Sequence, residues 1–145
     1  MKLLSTLFFS LFLIGISSVQ SQKNVFFNKK SLVNKFHTID ELEDLKKGEL
    51  IQLYIERVNE ITIVIPYLAL TNEAEVKLSD IGIKESSDYL KSLDKQHSIT
   101  TEALENTKNI ITEFIPYADT EKIIWSILYF EEVIKKIRIG ANGNF

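Results

Sequence analysis

The chain has 145 residues, no cysteine and a formal net charge of −3. That length suits one domain able to bury a sizeable core. The missing cysteines exclude disulfides, thiolate metal sites, thiol nucleophiles and covalent haem attachment, and the acidic charge argues against general nucleic-acid binding, which needs a basic surface.

Residues 1–21 have the pattern of a cleaved signal peptide. Lys2 supplies a positive start, residues 3–16 are a largely apolar run, and Val19 and Ser21 stand at the −3 and −1 positions of a cut before Gln22. A retained anchor is the alternative, but a bilayer span needs about 20 apolar residues and this run is shorter. We therefore predict an exported protein, periplasmic or secreted, with no stable membrane span after cleavage.

Residues 22–37 form a basic and aromatic leader. Such a segment can lie on an anionic membrane surface. We favour the alternative, in which its aromatic residues pack on the domain while its lysines stay in water. With the signal removed, Lys2 is lost and no acidic residue goes with it, so the net charge falls from −3 to −4.

The helical domain is predicted over residues 38–140, and it begins at a capping box. Thr38 would accept from the Glu41 amide, and Glu41 would reach back to the Thr38 amide. Apolar residues then recur at helical spacing as far as Pro66, which ends or kinks a helix. Gly48 leaves two helices open as an alternative. We expect one long helix.

Residues 68–83 carry weaker signals. Asn72 with Glu75 predicts the cap of a short helical turn, and Gly82 predicts its end.

Two amphipathic stretches follow, over residues 84–96 and 100–115. Ser98 would separate them as an N-cap, or they form one continuous helix.

The last helix, from Asp119 to Gly140, has the clearest pattern, and residues 141–145 form a flexible tail. Its apolar positions recur at intervals of four and three: Ile123, Ile127, Phe130, Ile134 and Ile137. Trp125 and Tyr129 widen this face, together with Leu128, so the helix is expected to be central. The pairs Glu131–Lys135 and Glu132–Lys136 are expected on its outer surface.

Residues 61–67 and 111–117 share five of seven residues, and both end in Ile-Pro-Tyr. Each is expected to be a corner where proline stops a helix and tyrosine turns back onto it. Duplication of a helical hairpin and coincidence both remain open.

No constellation for catalysis stands out. His37 and His97 each have a carboxylate within helical reach, but both are expected near polar helix ends, solvated or capping. Phosphate-binding and dinucleotide-binding glycine patterns and the serine nucleophile elbow are all missing. Two isolated arginines, Arg57 and Arg138, make a weak case for an anion site. We expect no metal, no cofactor and no enzymatic activity.

Four aromatic residues around the prolines and the last helix are candidates for lining a ligand pocket: Tyr67, Tyr117, Trp125 and Tyr129. At helical spacing such residues more often belong to a core, and we favour that interpretation.

These observations predict an all-α fold, a compact antiparallel bundle of four to five helices after the signal and a flexible basic leader. The expected function is an exported, non-enzymatic interaction module of the bacterial envelope that binds a protein partner. The alternative is a carrier that binds a small apolar ligand between its helices.

Overall fold

Four α-helices dominate the computed structural model, which describes residues 24–140: α1 Ile39–Glu43, α2 Lys47–Val64, α3 Ser87–Phe114 and α4 Thr120–Gly140. In this part of the chain an isolated bridge between Val25 and Lys77 is the one β-type pairing. The all-α class is therefore confirmed. The predicted signal peptide and the tail at 141–145 lie outside the described residues.

The first helical region is two helices, so the single long helix we expected is wrong. The Thr38–Glu41 capping box is present and starts α1. The helix then stops, because Lys46 is extended and its amide donates to the Glu49 carboxylate at 2.9 Å. This second local cap starts α2 afresh. Gly48 lies in the first turn of α2 and does not end a helix.

In residues 68–83 the expected turn at Asn72 is also wrong. The Asn72 side chain donates to the carbonyls of Ile137 and Arg138 at 3.1 and 3.3 Å, so it satisfies the last turn of α4. A 3-10 turn forms later, at Ser79–Ile81, and Gly82 closes it with a positive φ of 80°.

The two candidate stretches between residues 84 and 115 are one continuous helix, α3, capped by Ser86. Both Ile-Pro-Tyr corners are confirmed as 3-10 turns, after α2 at Ile65–Tyr67 and after α3 at Ile115–Tyr117. Their tyrosines differ, since Tyr67 is buried and Tyr117 is 88% exposed. Only Tyr67 turns back onto the fold.

Two apolar clusters form the core. The first joins α2 and α4 to α1 through Leu42, Leu50, Ile123, Ile124 and Ile127. The second lies between the end of α2, the start of α3 and the leader, and its buried members are Phe26, Phe27, Val64, Tyr67, Leu78 and Leu93.

The aromatic residues of the leader pack on the domain, as we favoured, and from Asn24 onward the leader is held in place, so the flexible leader that we also expected is wrong. Phe26 and Phe27 are each 3% exposed within the second cluster. The Phe26 amide bonds to the Val76 carbonyl at 3.0 Å. Burial of the two phenylalanines stabilises this packing, and Lys29, Lys30 and Lys35 stay exposed to solvent.

A buried ion pair joins α2 to α4. The Arg57 side chain donates to Glu131 Oε1 through Nε and Nη2, at 3.1 and 2.8 Å, and both residues are 1% exposed. The leader backbone is hydrogen-bonded to both members of this pair. Arg57 Nη2 also donates to the Lys35 carbonyl, and Glu131 Oε2 accepts from the His37 amide at 2.7 Å.

A second pair lies further along the same two helices. Arg138 of α4 donates through Nε and Nη2 to Glu60 of α2 at 2.8–3.1 Å. It also ties down the leader, since Glu60 accepts from the Val33 amide and Arg138 donates to the Val33 carbonyl. Residues 33–37 are thus held by both helices through backbone and side chains together.

The surface pair that we expected between Glu131 and Lys135 is therefore wrong. Glu131 follows Ile127 by four residues and precedes Ile134 by three, so it occupies the buried stripe of α4. Lys135 pairs instead with Glu132, at 2.7 Å on the outer surface. The sequence did contain a signal for this network: Glu131 stands at an apolar stripe position, which indicates a buried carboxylate that needs one of the two arginines as a partner.

Glu131→Gln and Glu132→Gln form a matched test of these two environments. Loss of the Glu131 charge leaves the Arg57 guanidinium buried without its counter-ion, so we expect a loss of about 3–5 kcal/mol in the free energy of unfolding. Glu132→Gln should leave it almost unchanged, because its ion pair is in solvent. Urea unfolding followed by circular dichroism measures both, and equal effects would contradict a dominant buried pair.

A pH dependence follows from the cap of α1. The Thr38 amide, with help from Lys35, lowers the pKa of Glu41 from 4.5 to about 2. A lowered pKa in the folded state gives stability that is present above pH 4.5 and lost as the pH falls toward 2. The difference in unfolding free energy between the wild-type chain and Glu41→Gln should therefore shrink over that interval.

Urea titrations at steps of pH would measure this difference. The Lys35→Gln variant is the control and should keep most of the pH dependence, since the backbone amide is the larger cause. A wild-type-to-variant difference that stays constant down to the acid limit of folding would count against the cap.

Candidate functional site

The structure separates the four aromatic candidates into two places. Tyr67 is 7% exposed in the second core cluster, whereas Tyr117, Trp125 and Tyr129 are 88%, 55% and 68% exposed. The core interpretation that we favoured is wrong for these last three. Trp125 and Tyr129 therefore do not widen the buried face of α4, although Ile123, Ile127 and Ile134 of its stripe are at most 2% exposed.

Trp125 and Tyr129 are four residues apart on α4, so they share one face of the helix. The Tyr129 ring lies 6.0 Å from that of Phe130, which in turn packs edge-on at 5.3 Å against Tyr54 of α2. These contacts link the exposed ring to a side chain that packs between helices.

A pocket of about 330 Å³ opens beside Trp125, between α1 and the start of α4. Its lining residues are Ile39, Glu43, Thr120, Glu121, Ile124 and Trp125. We call this pocket, together with Tyr129, the Trp125 surface. It combines an apolar floor with an aromatic wall, as small binding pockets do.

The charge of the Trp125 surface is acidic. Glu43 and Glu121 are both exposed, and within the described residues neither forms an ion pair. Two free carboxylates beside an apolar pocket favour a ligand that carries a positive group next to an apolar one.

Tyr67 belongs to a different site, which we call the Tyr67 cavity. Its ring centroid lies 5.1 Å from that of Phe26, 6.4 Å from Phe27 and 6.5 Å from the ring of His97. The cavity holds about 220 Å³, and its lining also includes Asn28, Ser31, Ile63, Thr100, Thr101 and Leu104.

The Tyr67 hydroxyl is buried and has no hydrogen-bond partner among the described residues. Burial raises the pKa of this phenol above its ordinary value, because the phenolate is poorly solvated there. A buried hydroxyl usually has a hydrogen-bond partner. The Tyr67 hydroxyl therefore either bonds to a ligand in this cavity or lowers the stability of the fold.

His37 lies at a helix end as expected, just before the Thr38 cap of α1, but its side chain is 9% exposed and therefore not solvated, and His97 does not lie at a helix end. His37 Nδ1 lies 3.0 Å from Glu131 Oε1 and 3.1 Å from Arg57 Nη2, inside the ionic network. His97 lies within α3, with Nε2 3.0 Å from the Phe26 carbonyl. Among the described residues, no three potential ligands from His, Asp and Glu converge on a point that suits a metal ion.

A larger cleft of about 470 Å³ borders the ionic network, with Lys30, His37 and Arg57 among its lining residues. Arg57 has no donor left for a ligand. Its Nη1 donates to Glu56 and to the Leu53 carbonyl, and its other nitrogens to Glu131 and Lys35. Arg57 is therefore not free to bind an anion in this cleft.

The chain matches no family model, no curated protein and no solved structure. Within residues 24–140, no helix has the length and apolar character that crossing a bilayer requires.

The state of the Tyr67 hydroxyl can be tested with Tyr67→Phe. Removing a buried hydroxyl that has no partner relieves its desolvation, so this variant should be as stable as the wild-type chain or more stable by up to about 1 kcal/mol. Thermal unfolding measures the change. A clear destabilisation would mean that the hydroxyl is bonded in solution.

Proposed function

We propose that the protein is an exported, non-enzymatic interaction module that binds a protein partner at the Trp125 surface. The observation that carries this proposal is the exposure of Trp125 and Tyr129 side by side on α4, next to an apolar pocket. Export rests on the signal pattern of residues 1–21, and a bacterial envelope or its surroundings is the proposed place of action.

Tryptophan and tyrosine are the residues that most often dominate binding energy in protein interfaces. Trp125 is 55% exposed in the free protein, so much of its apolar surface is still in water. A partner that buries this surface would gain favourable free energy of binding. The carboxylates of Glu43 and Glu121 suit a partner segment in which an apolar side chain adjoins a lysine or arginine.

Site-specific photo-crosslinking tests the proposal in envelope extract. A photo-reactive phenylalanine analogue at position 129 should capture a partner, whereas the same analogue at position 89 should not. Tyr89 is a matched control, because it is 55% exposed on a different helix. Equal capture from both positions would contradict a specific surface.

Trp125 also supplies a direct signal, since it is the single tryptophan of the chain. Binding of the captured partner should shift its fluorescence to shorter wavelength as water leaves the indole. Trp125→Ala should weaken partner binding at least about tenfold, and Tyr89→Ala should leave it unchanged. If Trp125→Ala binds the partner as tightly as the wild-type chain does, the proposal is wrong.

A carrier of a small, largely apolar ligand is the second candidate, and the unpartnered Tyr67 hydroxyl favours it. Such a ligand would fill the Tyr67 cavity and accept a hydrogen bond from the phenol. Of the four aromatic candidates, Tyr67 supports the carrier proposal, because the three exposed ones do not line that cavity.

Native mass spectrometry of the exported protein separates the two candidates. A mass that begins at Gln22 supports export, and a bound small molecule lost in Tyr67→Phe supports the carrier. A cleaved chain without any bound molecule supports the interaction module, and an uncleaved chain would contradict export.

A further inference from the structure

Helix α3 is far less buried than its length suggests. It has 28 residues, a length of about 42 Å, yet just Leu93 and Ile111 are buried along it. Helices in folded proteins gain most of their stability from an apolar face packed against a neighbour. A helix this long, with so little of it buried, has an unpartnered face.

That face carries an exposed apolar stripe. Ile99, Ile110 and Phe114 are 49%, 59% and 60% exposed, and Ala103 is exposed between them. At about 100° per residue, these four side chains fall within an arc of about 60°. We call them the α3 stripe. The buried Leu93 and Ile111 lie about 90° further around the helix, facing the core.

From these observations we infer that the α3 stripe pairs antiparallel with the α3 stripe of a second copy of this chain. The pairing is centred between Leu104 and Glu105. Ile99 then faces Ile110 of the second copy, and the two-fold symmetry repeats that contact on the other side. Ala103 faces Asn106 across the centre, where a small side chain lets the two helices approach closely.

Charges beside the stripe select this direction. Lys95 and Glu113 are 18 residues apart, which is about five full turns, so they flank the stripe on the same side. Both are exposed, and within residues 24–140 neither forms an ion pair. In the antiparallel arrangement each Lys95 meets Glu113 of the other copy, giving two opposite-charge contacts.

In a parallel pair the two-fold axis runs along the helices, so Lys95 and Glu113 of one copy lie on the opposite side of the contact from those of the other copy. Both opposite-charge contacts are then lost, which disfavours the parallel arrangement. The inference is independent of the proposed function, because the α3 stripe and the Trp125 surface lie on different helices.

Sedimentation equilibrium of the exported chain, up to about 100 µM, measures the association. We expect a dimer. Ile110→Glu should convert it to a monomer, since each carboxylate would be buried against Ile99 of the other copy. Ile139→Glu is the matched control at an isoleucine of α4 that is 50% exposed, and it should remain dimeric. Circular dichroism checks that both variants are folded.

Charge reversal tests the direction of pairing. Lys95→Glu and Glu113→Lys should each weaken dimerisation at least about tenfold, and the double variant should restore it. A parallel pair would show no such rescue. A monomeric wild-type chain, a dimer that survives Ile110→Glu, or a double variant that fails to recover would each overturn the inference. Trp125→Ala should leave the dimer intact, so its effect on partner binding is read separately.

Discussion

Four charged side chains between α2 and α4, three of them buried and Arg138 partly exposed, set how these two helices and the leader are joined. Arg57 with Glu131, and Arg138 with Glu60, join the two helices at two levels. A charge taken out of water must be paired and hydrogen-bonded. Here the leader backbone completes those bonds at Val33, Lys35 and His37, so helices and leader take up their positions together.

That constraint explains why a basic, aromatic leader becomes part of the core. Its amides and carbonyls satisfy carboxylates and guanidinium groups that would otherwise be left short of partners. Phe26 and Phe27 then close the second apolar cluster around Tyr67. The ring of Phe36 is also held by charge, with Lys135 and Arg138 at 5.2 and 5.1 Å from its centroid.

The same arrangement leaves two surfaces open. Because α2 and α4 pair with each other and with the leader, the outer face of α4 keeps Trp125 and Tyr129 in solvent. Helix α3 packs along part of its length and presents an apolar stripe elsewhere. Both surfaces are aromatic or apolar and are flanked by charges without an ion-pair partner among the described residues. Surfaces of this kind are typical of binding sites, because a partner can bury them.

The sequence by itself determined the helical class and most helix ends. The capping box at Thr38, the two prolines and Gly82 act within a few residues, so local chemistry decides them. It also drew attention to the aromatic candidates. Helical spacing did not reveal which of them faces solvent. Periodicity shows which residues share a face of a helix, but it does not show whether another element packs on that face.

Tertiary structure decided the rest. Glu131 meets Arg57 across 74 positions of the chain and Glu60 meets Arg138 across 78, distances over which no local pattern acts. Whether a glutamate in an apolar stripe is buried depends on an arginine arriving opposite it. The burial of Tyr67 and the exposure of Trp125 depend likewise on which helices pack together, which no local pattern determines.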